Sequence, residues 1–239
     1  YGSGNILWSG KKIVGLPVFS ADGAGDGHVV FAVDEDGDPD TQTDIELYRL
    51  STVTGAWQSA SRLTEDGIAD TAPVLVAPTG APMCVWVKSG ALSYSFLTDW
   101  DPKPLYTDPP SLLAARAPLV AGTSLPVGAA IAYAAQTLEG MDIFAAFYEA
   151  ASGQWSLPRR LTDDEAVEGS LSLAAAGDDL HVAYLKTQTV YEDVEIIVGG
   201  ETNLIENAPQ PGRTDLYMAS YSLKRDLAVQ ADTLRVEPG

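Results

Sequence analysis

Short apolar runs, with Gly, Pro, Asp or Ser close by, recur along the whole chain. Residues 73–76 (PVLV) and 83–87 (MCVWV) are representative. Apolar runs of about 4–8 residues between turn-forming residues are typical of β-strands, whereas an amphipathic helix needs a longer pattern with a period near 3.6. The pattern therefore predicts an all-β protein.

The chain contains an internal repeat with a spacing of 98 residues. Residues 44–88 align with residues 142–186 without a gap, and 11 of the 45 aligned positions are identical. The identical positions are Asp44, Ile45, Gly55, Trp57, Arg62, Leu63, Thr64, Asp66, Leu75, Ala77 and Lys88, which recur as Asp142, Ile143, Gly153, Trp155, Arg160, Leu161, Thr162, Asp164, Leu173, Ala175 and Lys186. A more diverged copy lies between them, so the repeating unit is about half of this spacing.

Each unit is predicted to contain four strands. First strands are expected near 16–18, 72–74, 117–119 and 170–172, and second strands near 28–33, 83–87, 129–133 and 181–185. Third strands are expected at 45–50, 91–96, 142–148 and 215–221, and fourth strands at 57–63, 103–106, 155–161 and 227–236. Four strands per repeat of about 40–50 residues indicate the blades of a β-propeller.

The predicted fold is therefore an all-β propeller with four recognisable four-stranded antiparallel blades. The blades cover roughly 13–64, 72–107, 117–162 and 170–236, and residues 187–214 form an insertion whose 190–198 portion alternates like a hairpin. One domain over residues 1–239 is expected, because all-β folds of this length are often single domains. A four-blade ring, a five-blade ring and a fragment of a larger propeller remain alternatives.

The repeated residues carry a family resemblance. The pattern DIELYR at 44–49, followed by GxW, RLT and VxW, resembles the blades of secreted bacterial β-propellers with sialidase-like, BNR-type repeats. The Asp-box of that family, SxDxGxxW, is degenerate here: residues 51–57 (STVTGAW) keep the serine, glycine and tryptophan without the aspartate. The resemblance implies that loops joining second to third strands, and fourth to first strands, open on a ligand-binding face.

The chain is strongly acidic, with 33 Asp and Glu residues against 14 Lys and Arg residues and a formal net charge of −19. A nucleic-acid partner is therefore excluded, because its phosphate backbone would be repelled. No apolar run reaches the roughly 18 residues of a membrane span. The single cysteine, Cys84, lies in an apolar run and is interpreted as a buried, inert thiol.

The Asp-rich stretch at 34–44 (DEDGDPDTQTD) is the strongest candidate for a metal site. Closely spaced carboxylates can supply the six to eight hard oxygen ligands that Ca²⁺ prefers. The candidate ligands are Asp34, Asp36, Asp38, Asp40 and Asp44, although the glycine and glutamate positions of an EF-hand loop are not matched. The alternative is a solvated acidic turn that maintains solubility.

No catalytic residue can be assigned from the sequence. His28 and His181 both lie near the start of a second strand, which favours a structural role, and Arg62 and Arg160 are expected to form ion pairs that stabilise the blades. Trp57 and Trp155 are expected to pack between blades. Trp100, in the sequence DWDP, is expected to be exposed.

The function predicted from these features is a non-catalytic extracellular or cell-surface propeller for binding or assembly, with Ca²⁺ ordering the 34–44 loop. The compartment is expected to be extracellular, cell-surface or periplasmic, and the expected partner is a protein or glycan on the acidic loop face. A carbohydrate-active enzyme, either a glycosidase or a lyase, is one alternative. Another is a structural subunit that assembles with itself through exposed blade edges.

Overall fold

The structure is a computed structural model, and it describes residues 8–38, 44–106, 120–137, 140–177, 179–199, 201–222 and 232–234. Almost all of its regular structure is antiparallel β-sheet, apart from one short 3-10 turn at Pro78–Gly80. No helix in the described part of the chain is long and apolar enough to cross a membrane.

The first two blade units fold as separate antiparallel sheets. Sheet 1 contains β1 (Lys12–Ala21), β2 (Gly27–Asp34), β3 (Ile45–Val53), β4 (Ala56–Trp57) and β5 (Ser61–Arg62). Sheet 2 contains β6 (Asp70–Val76), β7 (Met83–Lys88), β8 (Ala91–Phe96) and β9 (Lys103–Pro104). In both sheets the first three strands pair in sequence order. In sheet 1 both β4 and β5 pair with β3, and in sheet 2 β9 pairs with β8.

The last two units repeat this arrangement. Sheet 3 contains β10 (Val120–Leu125), β11 (Gly128–Gln136), β12 (Met141–Glu149), β13 (Gln154–Trp155) and β14 (Arg159–Arg160). Sheet 4 contains β15 (Val167–Ala176), β16 (Asp179–Val198), β17 (Glu201–Ser222) and β18 (Asp232–Leu234). One parallel pairing, between Met141 and Val167, joins these two units into a single nine-stranded sheet, whose two parts we call sheets 3 and 4.

These four sheets confirm the predicted fold class and the four-stranded blade units. The first strand expected at 117–119 lies outside the described residues, as do most residues of the fourth strand expected at 227–236. The fourth strands expected at 57–63 and 155–161 are each interrupted, at 58–60 and at 156–158. In the second case Pro158 has no N–H to donate to the ladder.

Successive sheets pack face to face through apolar side chains. One core cluster joins sheets 1 and 2, a second joins sheets 2 and 3, and a third joins sheets 3 and 4. Because side chains alternate across a strand, β7 presents Cys84 and Trp86 to sheet 1 and Met83 and Val85 to sheet 3. Cys84 is completely buried, as predicted, and burial raises the pKa of its thiol.

The insertion at 187–214 lengthens two strands of sheet 4 into a protruding two-stranded ribbon. The pairing of β16 with β17 continues from Thr187–Thr214 to Val198–Glu201, next to a turn in which Gly199 has a positive φ of 65°. The hairpin predicted at 190–198 is therefore present. It is part of one continuous ribbon that begins within the body of sheet 4.

Candidate functional site

The topology brings acidic residues from several loops to one end of sheets 1 and 2. In an antiparallel meander, the connection between the second and third strands lies at the same end as the link to the next sheet. The 34–44 loop, the 63–69 link and the β7–β8 turn therefore meet there. We call this the acidic end, and its carboxylates come from Asp34, Asp36, Asp44, Glu46, Asp66 and Asp70.

Three of the five predicted metal ligands converge within the 34–44 loop. Asp34, Asp36 and Asp44 each offer a carboxylate oxygen that lies within 4.8 Å of the others. Asp34 is buried at the end of β2, where its Oδ1 accepts a hydrogen bond from the Gly37 N–H over 2.7 Å. Asp44 Oδ2 accepts one from the Asp36 N–H over 2.6 Å, whereas Asp44 Oδ1 is buried without a hydrogen-bond partner.

Asp38, a fourth predicted ligand, does not belong to this trio. Asp38 is exposed, and its N–H donates a hydrogen bond to Asp36 Oδ1 over 2.7 Å. Its backbone therefore shapes the turn, while its carboxylate does not join the other three. Asp40 lies outside the described residues.

A second carboxylate cluster lies next to the first and was not singled out from the sequence. Glu46, Asp66 and Asp70 also bring one oxygen each to within 4.8 Å of the others. Glu46 follows Asp44 by two residues, so the two side chains share one face of the chain as it enters β3. Asp66 comes from the 63–69 link, and Asp70 begins the first strand of sheet 2.

Cations and neutral donors surround this second cluster. Arg62 Nη2 lies 3.1 Å from Glu46 Oε1, and Lys88 forms an ion pair with Asp66. The indole N–H of Trp86 donates to Asp70 Oδ1 over 2.6 Å. Burial raises the pKa of Asp70 to about 6, although hydrogen bonds from Thr64 and Trp86 act in the opposite direction.

The same constellation recurs between sheets 3 and 4. Arg160 Nη2 lies 2.6 Å from Asp142 Oδ2, and Lys186 pairs with Asp164 and also lies 3.7 Å from Glu168. Burial, together with the nearby charge of Asp164, raises the pKa of Glu168 to about 7. The predicted ion pairs of Arg62 and Arg160 are thus both present, each with a fully buried acid.

The two histidines have local partners. His28 Nε2 lies 3.3 Å from Asp22 Oδ2, and His181 Nδ1 lies 2.8 Å from Ser220 Oγ. The hydrogen bond with His28 lowers the pKa of Asp22. These contacts hold a turn and a strand pair, which agrees with the structural role predicted for the histidines.

A cleft of about 320 Å³ lies at the opposite end, between sheets 2 and 3. The rings of Tyr94, Phe96 and Tyr148 line it, together with the polar side chains of Asp99, Asp101 and Lys103, among others. Lys103 Nζ lies 3.2 Å from Asp101 Oδ2. This cleft could not be predicted from the sequence, because its two walls are about 50 residues apart in the chain.

Trp100, close to this cleft in the chain, is not an exposed platform as predicted. Its ring stacks on that of Trp86, with centroids 5.1 Å apart and an interplanar angle of 17°. It is half-buried against the core cluster between sheets 1 and 2. The turn that contains it folds back onto the sheet, because Ser95 Oγ accepts a hydrogen bond from the Asp101 N–H over 2.8 Å.

No protein-family model matches the chain, and no curated protein matches it. Solved structures do resemble it. An α-L-arabinanase from Penicillium chrysogenum, solved in complex with arabinobiose, superposes with a TM-score of 0.58 at 11% identity, over 94% of this chain and 67% of that chain. The catalytic domain of the GH62 α-L-arabinofuranosidase from Coprinopsis cinerea gives 0.50 at 12% identity, over 92% and 68%.

A puromycin-hydrolyzing peptidase from Mycobacterium tuberculosis gives a TM-score of 0.54 at 14% identity, over 97% of this chain and 30% of that chain. At this level of identity the likeness concerns the fold and not the chemistry. Together with the four packed sheets, it identifies the chain as a β-propeller.

Proposed function

We propose that this chain is a non-catalytic β-propeller of the extracellular space, the cell surface or the periplasm, and that Ca²⁺ orders its 34–44 loop for binding a partner. The observation that carries the proposal is the convergence of Asp34, Asp36 and Asp44 within 4.8 Å. Hard carboxylate oxygens in a turn suit Ca²⁺, and the buried, unpartnered Oδ1 of Asp44 fits a missing positive partner.

In this proposal Asp34, Asp36 and Asp44 hold Ca²⁺. The ion neutralises their carboxylate charges, which would otherwise repel one another. Asp34 fixes one side of the site from the end of β2, and Asp44 fixes the other side just before β3. A protein or glycan partner would then meet an ordered loop at the acidic end. The acids buried in ion pairs with Arg62 and Arg160 support a non-catalytic role, because they are closed to a substrate.

Calorimetric titration with Ca²⁺ tests the metal part of the proposal. We expect one loop site in the parent chain, an affinity at least tenfold weaker in Asp36→Asn, and most of the affinity kept in Asp38→Asn. Asp38 is the matched control, because its carboxylate lies in the same turn but outside the trio. Absence of binding at millimolar Ca²⁺, or equal losses in both variants, would contradict the assignment.

A carbohydrate-active enzyme is the second candidate, and the cleft between sheets 2 and 3 is the observation that favours it. Two carboxylates, from Asp99 and Asp101, lie there beside three aromatic rings. Paired carboxyl groups are the usual apparatus of glycoside hydrolysis, and the similar arabinanase fold was solved with a disaccharide. A self-assembling structural subunit remains a further alternative, and measurement of the mass in solution tests it.

Assays of sugar release from arabinan and related polysaccharides separate the two candidates. A non-catalytic propeller releases no product, whereas a glycosidase that uses this cleft loses activity in Asp101→Asn and keeps it in Glu192→Gln, a control on the distant ribbon. Activity that survives both Asp99→Asn and Asp101→Asn would exclude the cleft as its site.

A further inference from the structure

The carboxylate cluster of Glu46, Asp66 and Asp70 contains buried oxygens with neither a hydrogen bond nor an ion pair, a feature that its repeat lacks. Glu46 and Asp70 are essentially inaccessible to solvent, yet Glu46 Oε2 and Asp70 Oδ2 have no hydrogen-bond partner. A buried carboxylate oxygen without a partner is costly, so a proton or a cation is expected to satisfy it.

The equivalent cluster between sheets 3 and 4 has more protein partners. Asp142 Oδ2 accepts hydrogen bonds from Thr137 and Arg160, and Asp142 Oδ1 accepts one from Thr162 at 3.3 Å. Glu168 Oε1 is also buried without a hydrogen bond, but Lys186 Nζ lies 3.7 Å from it while pairing with Asp164. Each buried carboxylate oxygen of Asp142 and Glu168 therefore has a hydrogen bond or an ion pair.

In the cluster between sheets 1 and 2, the protein donors do not reach every oxygen. Arg62 and the Gly67 N–H both approach Glu46 Oε1, and Trp86 donates to Asp70 Oδ1. Lys88 pairs with Asp66, in contrast to Lys186, which contacts two acids. The Thr64 hydroxyl also acts on the Asp70 carboxyl group and lowers its pKa, but neither Glu46 Oε2 nor Asp70 Oδ2 receives a hydrogen bond of normal geometry.

We propose that Glu46, Asp66 and Asp70 form a second binding site, separate from the 34–44 loop, for a hard divalent cation such as Ca²⁺ or Mg²⁺. All of its ligand atoms are carboxylate oxygens, the donors that such cations prefer. The Asp66 side chain is 39% exposed, which gives the cation a route from solvent.

Lys88 is the internal competitor for this site. Its ammonium group supplies positive charge to Asp66 when no metal is bound. Burial would lower the pKa of Lys88, but the hydrogen bond with Asp66 and the negative charges of the three acids together raise it. A cation bound by the three carboxylates displaces this group toward solvent. Removal of the Lys88 charge is therefore expected to tighten metal binding.

The test uses the Asp36→Asn chain, in which the loop site is disabled, so that the two sites report separately. We expect calorimetric titration with Ca²⁺ and Mg²⁺ to show one remaining site in this background. Adding Glu46→Gln or Asp70→Asn should abolish it, and adding Lys88→Gln should tighten it about tenfold. Glu168→Gln, in the repeat where Lys186 pairs with the acid, is the matched control and should leave the affinity unchanged.

Sensitised Tb³⁺ luminescence provides a second readout, because Trp86 lies against Asp70. In the Asp36→Asn background, the Tb³⁺ luminescence should fall when Trp86→Phe or Asp66→Asn is added. Asp66 is partly exposed, so its substitution is not expected to disturb folding. Circular dichroism checks that each variant is folded. The proposal is overturned if neither the Asp36→Asn chain nor its Lys88→Gln derivative binds Ca²⁺ or Mg²⁺ at millimolar concentration. It is also overturned if binding persists in folded Glu46→Gln and Asp70→Asn chains.

Discussion

The indole N–H of Trp86 donates a hydrogen bond to Oδ1 of Asp70 over 2.6 Å, and both side chains are completely buried. The bond lies within sheet 2 and connects its second strand to its first. Its partner is a carboxyl group with a pKa of about 6, so its strength depends on pH.

Replacement of Trp86 by Phe should therefore destabilise the protein more at pH 8 than at pH 5. At pH 8 the substitution leaves an ionised carboxylate with fewer donors, which costs about 2–4 kcal/mol including the lost packing. At pH 5 the carboxyl group is mostly protonated, and the loss is smaller. Urea unfolding at the two pH values measures the difference, and an equal loss at both would show that the hydrogen bond carries no charge-dependent energy.

Glu168 gives the protein a second pH dependence. Its pKa in the folded state, about 7, is higher than the ordinary value of 4.5, so the folded state holds the proton more tightly than the unfolded state. This contribution to stability is complete below about pH 4.5 and is lost as the pH rises through about 7, with a total of at most about 3 kcal/mol. The free energy of unfolding should thus be lower at pH 8 than at pH 5.

The Glu168→Gln variant should flatten this dependence, because its amide does not ionise. Unfolding by urea between pH 5 and pH 8 measures the slope for both chains. Asp164 serves as a contrast. Burial alone would raise its pKa, but the hydrogen bonds from Lys186 and from the Ala166 N–H lower it overall. The contribution of Asp164 is therefore lost only as the pH falls below about 4. If stability depends on pH to the same extent in Glu168→Gln as in the parent chain, the raised pKa assigned to Glu168 is contradicted.

Gly128 permits the close approach of two strands in sheet 3. A Cβ atom at this position would lie 1.9 Å from the carbonyl oxygen of Tyr148, which is backbone and cannot rotate away. Gly128→Ala should therefore push β11 away from β12 and cost more than about 2 kcal/mol. Gly169→Ala is the matched control, because a Cβ there meets nothing within 4 Å. Thermal unfolding of the two variants compares them directly, and similar melting temperatures would refute the argument.

The repeat in the sequence was sufficient to predict the blades but not the details of the acid clusters. Asp44 aligns with Asp142, yet the residue that pairs with Arg62 is Glu46, two positions later. A shift of two residues keeps the side chain on the same face of the strand, so the longer Glu can take over the ion pair. Asp44 is then free to join the loop trio. An alignment based on identical residues cannot detect that Glu46, and not Asp44, makes the ion pair that Asp142 makes in the repeat.

The second cluster could not be predicted for a related reason. Its members come from a strand, a link and the next sheet, and 33 acidic residues offer many possible groupings. Sequence spacing identifies ligands within one loop, such as Asp34 and Asp36. It does not reveal which carboxylates the packing of two sheets brings together, or which oxygens remain without donors.

Trp57 and Trp155 occupy equivalent positions in the repeat, but they pack differently because they belong to different sheets. Trp155 packs as predicted against Tyr94 of the preceding sheet, with ring centroids 5.9 Å apart. Trp57 was expected to do the same, but it is 40% exposed and joins none of the core clusters of the described residues. Sheet 1 is the first sheet that the structure describes, so no described sheet precedes it to receive this ring.

This difference predicts which tryptophans matter for stability. Trp57→Ala should cost less than about 1 kcal/mol, because a largely solvated ring gives up little buried area. Trp100→Ala should cost about 2–3 kcal/mol, because it removes a ring that stacks on the buried Trp86 and leaves a gap in the core between sheets 1 and 2. Chemical unfolding of both variants measures these costs, with far-UV circular dichroism as the probe. If Trp57→Ala were the more damaging change, its ring would have to be packed against a partner that the described residues do not supply.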